Sequence, residues 1–203
     1  MRSIRVCLSL LLLLQFNATA AWAKSSAERS LDQLKTLIGS WSGKSSDGKP
    51  VHLSFRNTGA GSALLSEFVV GGPKSEEMIS VFHLDGDSLL VTHYCSAGNQ
   101  PRMKATASPD GKTISFDFFD ATNLVDSDSG HMRSVVIALL DAHHHTETWT
   151  FIHHGKVTKQ VFDLWRRASP SRSTVERAPA QGLLMALPLN RTSRTKESSP
   201  RRL

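Results

Sequence analysis

The sequence predicts an all-β protein, a ten-stranded antiparallel up-and-down barrel with a short N-terminal helix and a disordered C-terminal tail. Three observations carry this. Turn dipeptides recur along the chain, with Asp47-Gly48, Asp85-Gly86 and Asp110-Gly111 as hairpin signals. The runs between them alternate apolar and polar residues, the period of a half-buried strand. No second helical block interrupts the series. Full closure removes exposed sheet edges, which favours a barrel over an open β-sandwich.

Each element has its own reason. Leu31, Leu34, Leu37 and Ile38 give residues 27–37 one apolar stripe, and Gly39 stops that helix. Strands are expected over 39–45, 49–57, 63–70, 76–83, 88–95, 102–108, 113–120, 131–140, 145–153 and 156–166. Val51, Leu53 and Phe55 alternate with His52, Ser54 and Arg56. Ile114, Phe116 and Phe118 alternate with Ser115 and Asp117, and Trp149 and Phe151 alternate with Thr148 and Thr150. Further breaks fall at 57–61, at Gly71-Gly72-Pro73 and at His154-Gly155.

The two ends of the chain read differently. Arg2 and Arg5 precede an apolar run over 6–16, and Ala21-Trp22-Ala23 supplies an A-x-A cleavage site. Residues 1–23 are therefore expected to be a signal peptide cleaved near Ala23, which makes the protein secreted or periplasmic. An uncleaved amphipathic anchor is the alternative. The apolar run is too short for a bilayer, which needs roughly 20 residues, so no transmembrane segment remains after cleavage. Cys95 is then the single thiol of the mature chain, and no internal disulfide can form. Residues 168–203 are rich in Ser, Pro, Arg and Thr and read as disordered, with one apolar patch at 182–189.

Charge excludes one function class. The chain carries +6. Arg2 and Arg5 put +2 at the front, and the tail's seven basic and two acidic residues put +5 at the back, which leaves −1 for residues 24–167. A nucleic-acid domain needs a basic face of its own, and the barrel region has no excess to build one.

Gly39-Ser40-Trp41, at the first strand after a short helix, resembles the G-x-W signature of the lipocalin and fatty-acid-binding (calycin) superfamily. That resemblance implies an Arg of the last strand packed over the Trp at the barrel base, and Asp163-Leu164-Trp165-Arg166-Arg167 offers Arg166 or Arg167. The order of elements is also similar to nitrobindin-like haem barrels, which implies haem as a cofactor. In those barrels the proximal His comes from near the end of the domain, whereas here the last strand has none. Residues 24–167 further resemble a group of secreted bacterial lipocalin-like proteins, a likeness that implies architecture and brings no activity.

In an up-and-down meander, connections after odd-numbered strands share one end of the barrel. The long polar segments 96–101 and 121–130 both follow odd strands, so they are expected at one mouth. His93, Tyr94, Cys95, Asn99, Gln100, Arg102, Asp120, Asn123 and His131 are the candidate ligand-binding residues gathered there. Such residues orient a ligand whose apolar part is wrapped by the lumen, and Asn and Asp in loops equally serve to bond nearby backbone. Arg102 with Asp120 is the expected bridging pair, because Arg grips a carboxylate with two bonds.

The expected function is an exported barrel that binds a small, partly apolar ligand, without a cofactor. The alternatives are a haem- or divalent-metal-binding barrel, an enzyme using His93, Cys95 and Asp120, and a solid barrel whose loops bind a partner. His143 and His145 share a strand face but lack further zinc ligands. His93 and His131, with Asp120 as third ligand, form a better-placed set. Asp117 and Asp120, three apart on one strand, are expected on opposite faces, which argues against paired-carboxylate hydrolysis. No P-loop, G-x-S-x-G or H-E-x-x-H is present.

Overall fold

The computed structural model describes residues 23–71, 75–126 and 128–168. The expected leader and tail fall, but for Ala23 and Ala168, outside them. Among the described residues no helix is long and apolar enough to cross a membrane.

The chain begins with α1 (Ser26–Lys35). A capping box starts it: Ser25 Oγ accepts from the Glu28 N–H at 3.1 Å, and the Glu28 carboxylate accepts from the Ser25 N–H at 2.6 Å. Ten strands follow in order: β1 (Gly39–Ser45), β2 (Pro50–Thr58), β3 (Ala63–Val70), β4 (Glu76–Asp85), β5 (Ser88–Tyr94), β6 (Gln100–Ala107), β7 (Thr113–Thr122), β8 (His131–Leu139), β9 (His144–His153) and β10 (Lys156–Arg166). Each pairs antiparallel with its chain neighbours, and β1 pairs with β10 to close the barrel. The expected all-β barrel is observed, with strand ends within a few residues of those read from the sequence. The helix starts one residue earlier and ends two earlier than expected.

The base of the barrel is the end sealed by α1. Leu31, Leu34 and Leu37 join the core there. Trp41 is buried, and its indole N–H donates to the Leu37 carbonyl at 2.7 Å. The Arg166 guanidinium lies over the Trp41 ring at 4.3 Å. It also donates to the carbonyls of Thr36, Ile38 and Ala142 at 2.7, 2.7 and 2.9 Å. One side chain therefore satisfies carbonyls left open where the helix ends and where β8 turns into β9. Arg166, and not Arg167, fills the expected role. Gly43 allows β1 to press on β10: a Cβ there would lie 1.7 Å from the Asp163 carbonyl oxygen.

The lower lumen is filled. Trp41 meets His145 edge-on at 4.3 Å, Phe55 lies 6.1 Å from His145 and 6.5 Å from Phe82, and Phe82 packs on Phe116 at 5.5 Å. Such a packed floor leaves free space only toward the opposite end.

Two register shifts alter which side chains face inward. On β7, Phe118 pairs with Met103 and Asp120 with Arg102, so Phe119 is an extra residue. On β8, Met132 pairs with Phe151 and Ser134 with Thr150, so Arg133 is extra. Each bulge reverses the alternation beyond it.

Candidate functional site

The end opposite α1 carries the connections after β1, β3, β5, β7 and β9. The two long polar segments do share it. Asn99, almost fully buried, donates from Nδ2 to the Gly130 carbonyl at 2.8 Å, tying the β5–β6 turn to the β7–β8 loop. Gln100 Oε1 accepts from Thr122 Oγ1 at 2.7 Å and from Asn123 Nδ2 at 3.0 Å. His131 is buried beside Phe118, with its Nδ1 donating to the Ser129 carbonyl at 2.8 Å. Gly98 makes the β5–β6 turn at a φ of 84°, a conformation that suits glycine. Asn99, Gln100, Asn123 and His131 are thus engaged in holding loops together.

Arg102 and Asp120 do pair, through both guanidinium and carboxylate arms. Their place is the outer wall. Pro101 and Met103 on either side of Arg102 are buried and face in, so Arg102 faces out. The extra residue Phe119 turns Asp120 out beside it. Asp117, opposite Lys104, also faces out, so the expectation that Asp117 and Asp120 lie on opposite faces fails for this reason. Arg102 holds the Asp120 carboxyl below its usual range. Because both side chains are more than two-fifths exposed, water and salt screen the pair. Arg102→Ala should leave the melting temperature almost unchanged and should not alter binding in the lumen, as thermal melts and ligand titration would read. A large loss of binding would place this pair at the ligand.

His93, Cys95 and Asp120 therefore do not assemble a reacting set. His93 faces the lumen, Tyr94 is half-exposed on the outside, Cys95 sits just past the end of β5, and Asp120 is outside. Burial pushes the Cys95 thiol up, the direction opposite to an activated nucleophile. Among the described residues no three His, Cys, Asp or Glu side chains gather as a metal group. His143 precedes β9 and is exposed, whereas His145 is fully buried, so the two do not act together.

The upper lumen holds a pocket of about 100 Å³. Phe68, Val70, Met78, Met132, Trp149 and Phe162 give it apolar walls, His93 lies in its wall, and exposed Lys49 and Glu76 also line it. His93 is 2% exposed. Its Nδ1 is 2.9 Å from Ser80 Oγ, its ring lies 4.6 Å from Trp149, and its Nε2 has no partner. Burial lowers its pKa to about 4, so the ring is neutral at pH 7.

Below it, β9 aims His145, Glu147 and Trp149 inward in succession. Trp149 Nε1 donates to Glu147 at 2.8 Å. His145 Nε2 is 3.6 Å from the other Glu147 oxygen, too long for a hydrogen bond, and both ring nitrogens of His145 are buried without a partner. The sequence reading missed Glu147 and the wall residues Phe68, Met78 and Met132. The i, i+2 chain from His145 to Phe151 was the available signal.

A larger crevice of about 610 Å³ lies between α1 and the β4–β5 and β6–β7 turns. Ser26, Gln33, Asp87, Lys104 and Asp110 line it, and it contains no buried polar atom without a partner. Its walls are polar and apolar in nearly equal measure, whereas those of the smaller upper lumen are mostly apolar. Haem does not fit that lumen as it stands. β10 has no His, and about 100 Å³ is well under the roughly 300–1,000 Å³ of drug-sized sites.

No protein-family model matches the chain, and no curated protein matches it. Among solved structures, the crystal structure of Rv2717c from M. tuberculosis is similar, with a TM-score of 0.51 at 14% identity. The match covers 69% of this chain and 98% of that one. At that identity the likeness concerns fold alone, and the chain shares with Rv2717c a barrel architecture.

Proposed function

We propose that this protein is an exported carrier or sensor that binds a small, mostly apolar molecule in the upper lumen of its barrel. The observation that carries the reading is the pocket beside His93: apolar walls, an opening at the mouth end, and one buried polar atom without a partner. Apolar walls supply affinity by removing ligand surface from water, and a few polar groups fix orientation. The pocket is shallow, because the aromatic floor fills the lower barrel. Its size favours a compact molecule over a long acyl chain. The loop ties at Asn99, Gln100 and His131 hold the mouth in shape. Export rests on the leader pattern at residues 1–23, and detection of the protein outside the cytoplasm of its host, shortened near Ala23, would test it.

The test of binding is native mass spectrometry of protein purified from its own host, seeking a co-purified mass. Met78→Trp places a larger side chain in the pocket wall. It should abolish the co-purified mass while the circular-dichroism spectrum stays that of a β-barrel. Retention of the same mass by a folded Met78→Trp protein would move the site elsewhere.

A further inference from the structure

We infer that His93 presents an Nε2–H donor to the upper lumen, and that the ligand is a small neutral molecule carrying an oxygen acceptor, such as a carbonyl, on an apolar frame. This rests on the lumen-binding reading above and adds the chemical class.

The tautomer follows from Ser80. Ser80 is buried, and His93 Nδ1 is the hydrogen-bond partner of its hydroxyl, at 2.9 Å. A hydroxyl proton in a dry wall needs an acceptor. If Nδ1 carried the ring proton, it would donate to Ser80 Oγ, and both the Ser80 proton and the Nε2 lone pair would be left without a partner. With the Ser80 O–H donating, Nδ1 accepts, and the single proton of the neutral ring sits on Nε2. That donor is buried and unmatched.

An unmatched buried donor is costly, and a ligand acceptor removes the cost. The rest of the ligand meets Phe68, Met78, Met132, Trp149 and Phe162 and has to be apolar. A carboxylate would lose its hydration against a neutral ring, and the pocket's Lys49 is offset by Glu76. A metal ion at Nε2 would need a bare lone pair, the opposite tautomer. Size sets a further bound. A cavity of about 150 Å³ holds benzene, so about 100 Å³ calls for a ligand smaller than benzene, on the scale of a four-carbon ketone.

The experiment uses full-length protein labelled with 15N at histidine and tryptophan. Long-range proton–nitrogen correlation at pH 7 should show His93 protonated at Nε2. Cyclobutanone, methylenecyclobutane and cyclobutanecarboxylate are then titrated while the His93 and Trp149 side-chain signals are followed. Cyclobutanone should bind at least about tenfold more tightly than the other two, the factor expected of one hydrogen bond. His93→Phe should remove that preference. Ser80→Ala, which touches no probe, should mix the tautomers and narrow the preference, and it serves if His93→Phe does not fold.

A ring proton found on Nδ1 overturns the inference and leaves lumen binding standing. Equal affinity for the three probes does the same. Protonated Nε2 with no probe shifting His93 or Trp149 overturns the lumen-binding reading and the inference with it.

Discussion

Trp41→Ala should lower the unfolding free energy by about 3–5 kcal/mol, the range of a large aromatic truncated in a packed core. The side chain is 1% exposed. Its ring supports the Arg166 guanidinium from below and meets the edge of His145. Its N–H closes the Leu37 carbonyl just past the helix. Alanine leaves a cavity, an open carbonyl and an arginine without its platform. The surroundings have little freedom to collapse, because Arg166 remains held by the carbonyls of Thr36, Ile38 and Ala142. Trp41→Phe keeps a ring under the guanidinium and loses mainly the N–H bond, so it should cost less. Urea unfolding monitored by circular dichroism separates the two variants. A cost below about 1 kcal/mol for Trp41→Ala would mean that the base is not built around this residue.

The barrel was legible because two local signals agree along its length. Asp-Gly turns fixed where strands reverse, and period-two runs fixed which residues face in. The single mouth was legible for a topological reason, since in a meander alternate connections must share an end. Arg102 and Asp120 could be matched as a pair from their chemistry. Their side of the wall could not be read, because the extra residue Phe119 carries no sequence mark and reverses every side chain beyond it. Arg133 on β8 hides the inward turn of Met132 in the same way.

The candidate site was only partly legible. His93 was named among the candidate residues, but it was grouped with loop residues that bond one another. Asn99 and Gln100 read as ligand groups because their partners, Gly130, Thr122 and Asn123, are more than twenty residues away. The buried Glu147 went unseen because an acidic residue between two threonines looks solvated. The alternation that turns Trp149 inward carries Glu147 with it, and in the register of β9 against β10 it lies opposite Phe162. Ser80 shows the same limit. A serine between Ile79 and Val81 is an ordinary strand residue until its hydroxyl is found on His93.

The wild-type protein should lose about 3 kcal/mol more stability than His93→Gln between pH 7 and pH 4. The sign follows from where protons bind. Burial holds the folded His93 ring near a pKa of about 4, against the ordinary 6.5 that applies to the unfolded chain. Below pH 6.5 the unfolded chain takes up a proton at this position and the folded protein does not, so acid favours unfolding. The contribution is therefore fully present above pH 6.5 and is lost as the pH falls toward about 4. No neighbour rescues the charged ring: Ser80 holds Nδ1, Trp149 packs on its face, and the Glu147 carboxylate is already bonded to Trp149. Lys49 and Glu76, which also line the pocket, oppose each other in sign. The remaining histidines and carboxylates titrate in both proteins and cancel in the comparison. Urea melts at pH 7, 5.5 and 4 on the two proteins give the difference directly. Parallel stability profiles would mean that His93 is hydrated in the native state, and the dry upper lumen on which the binding site depends would not exist.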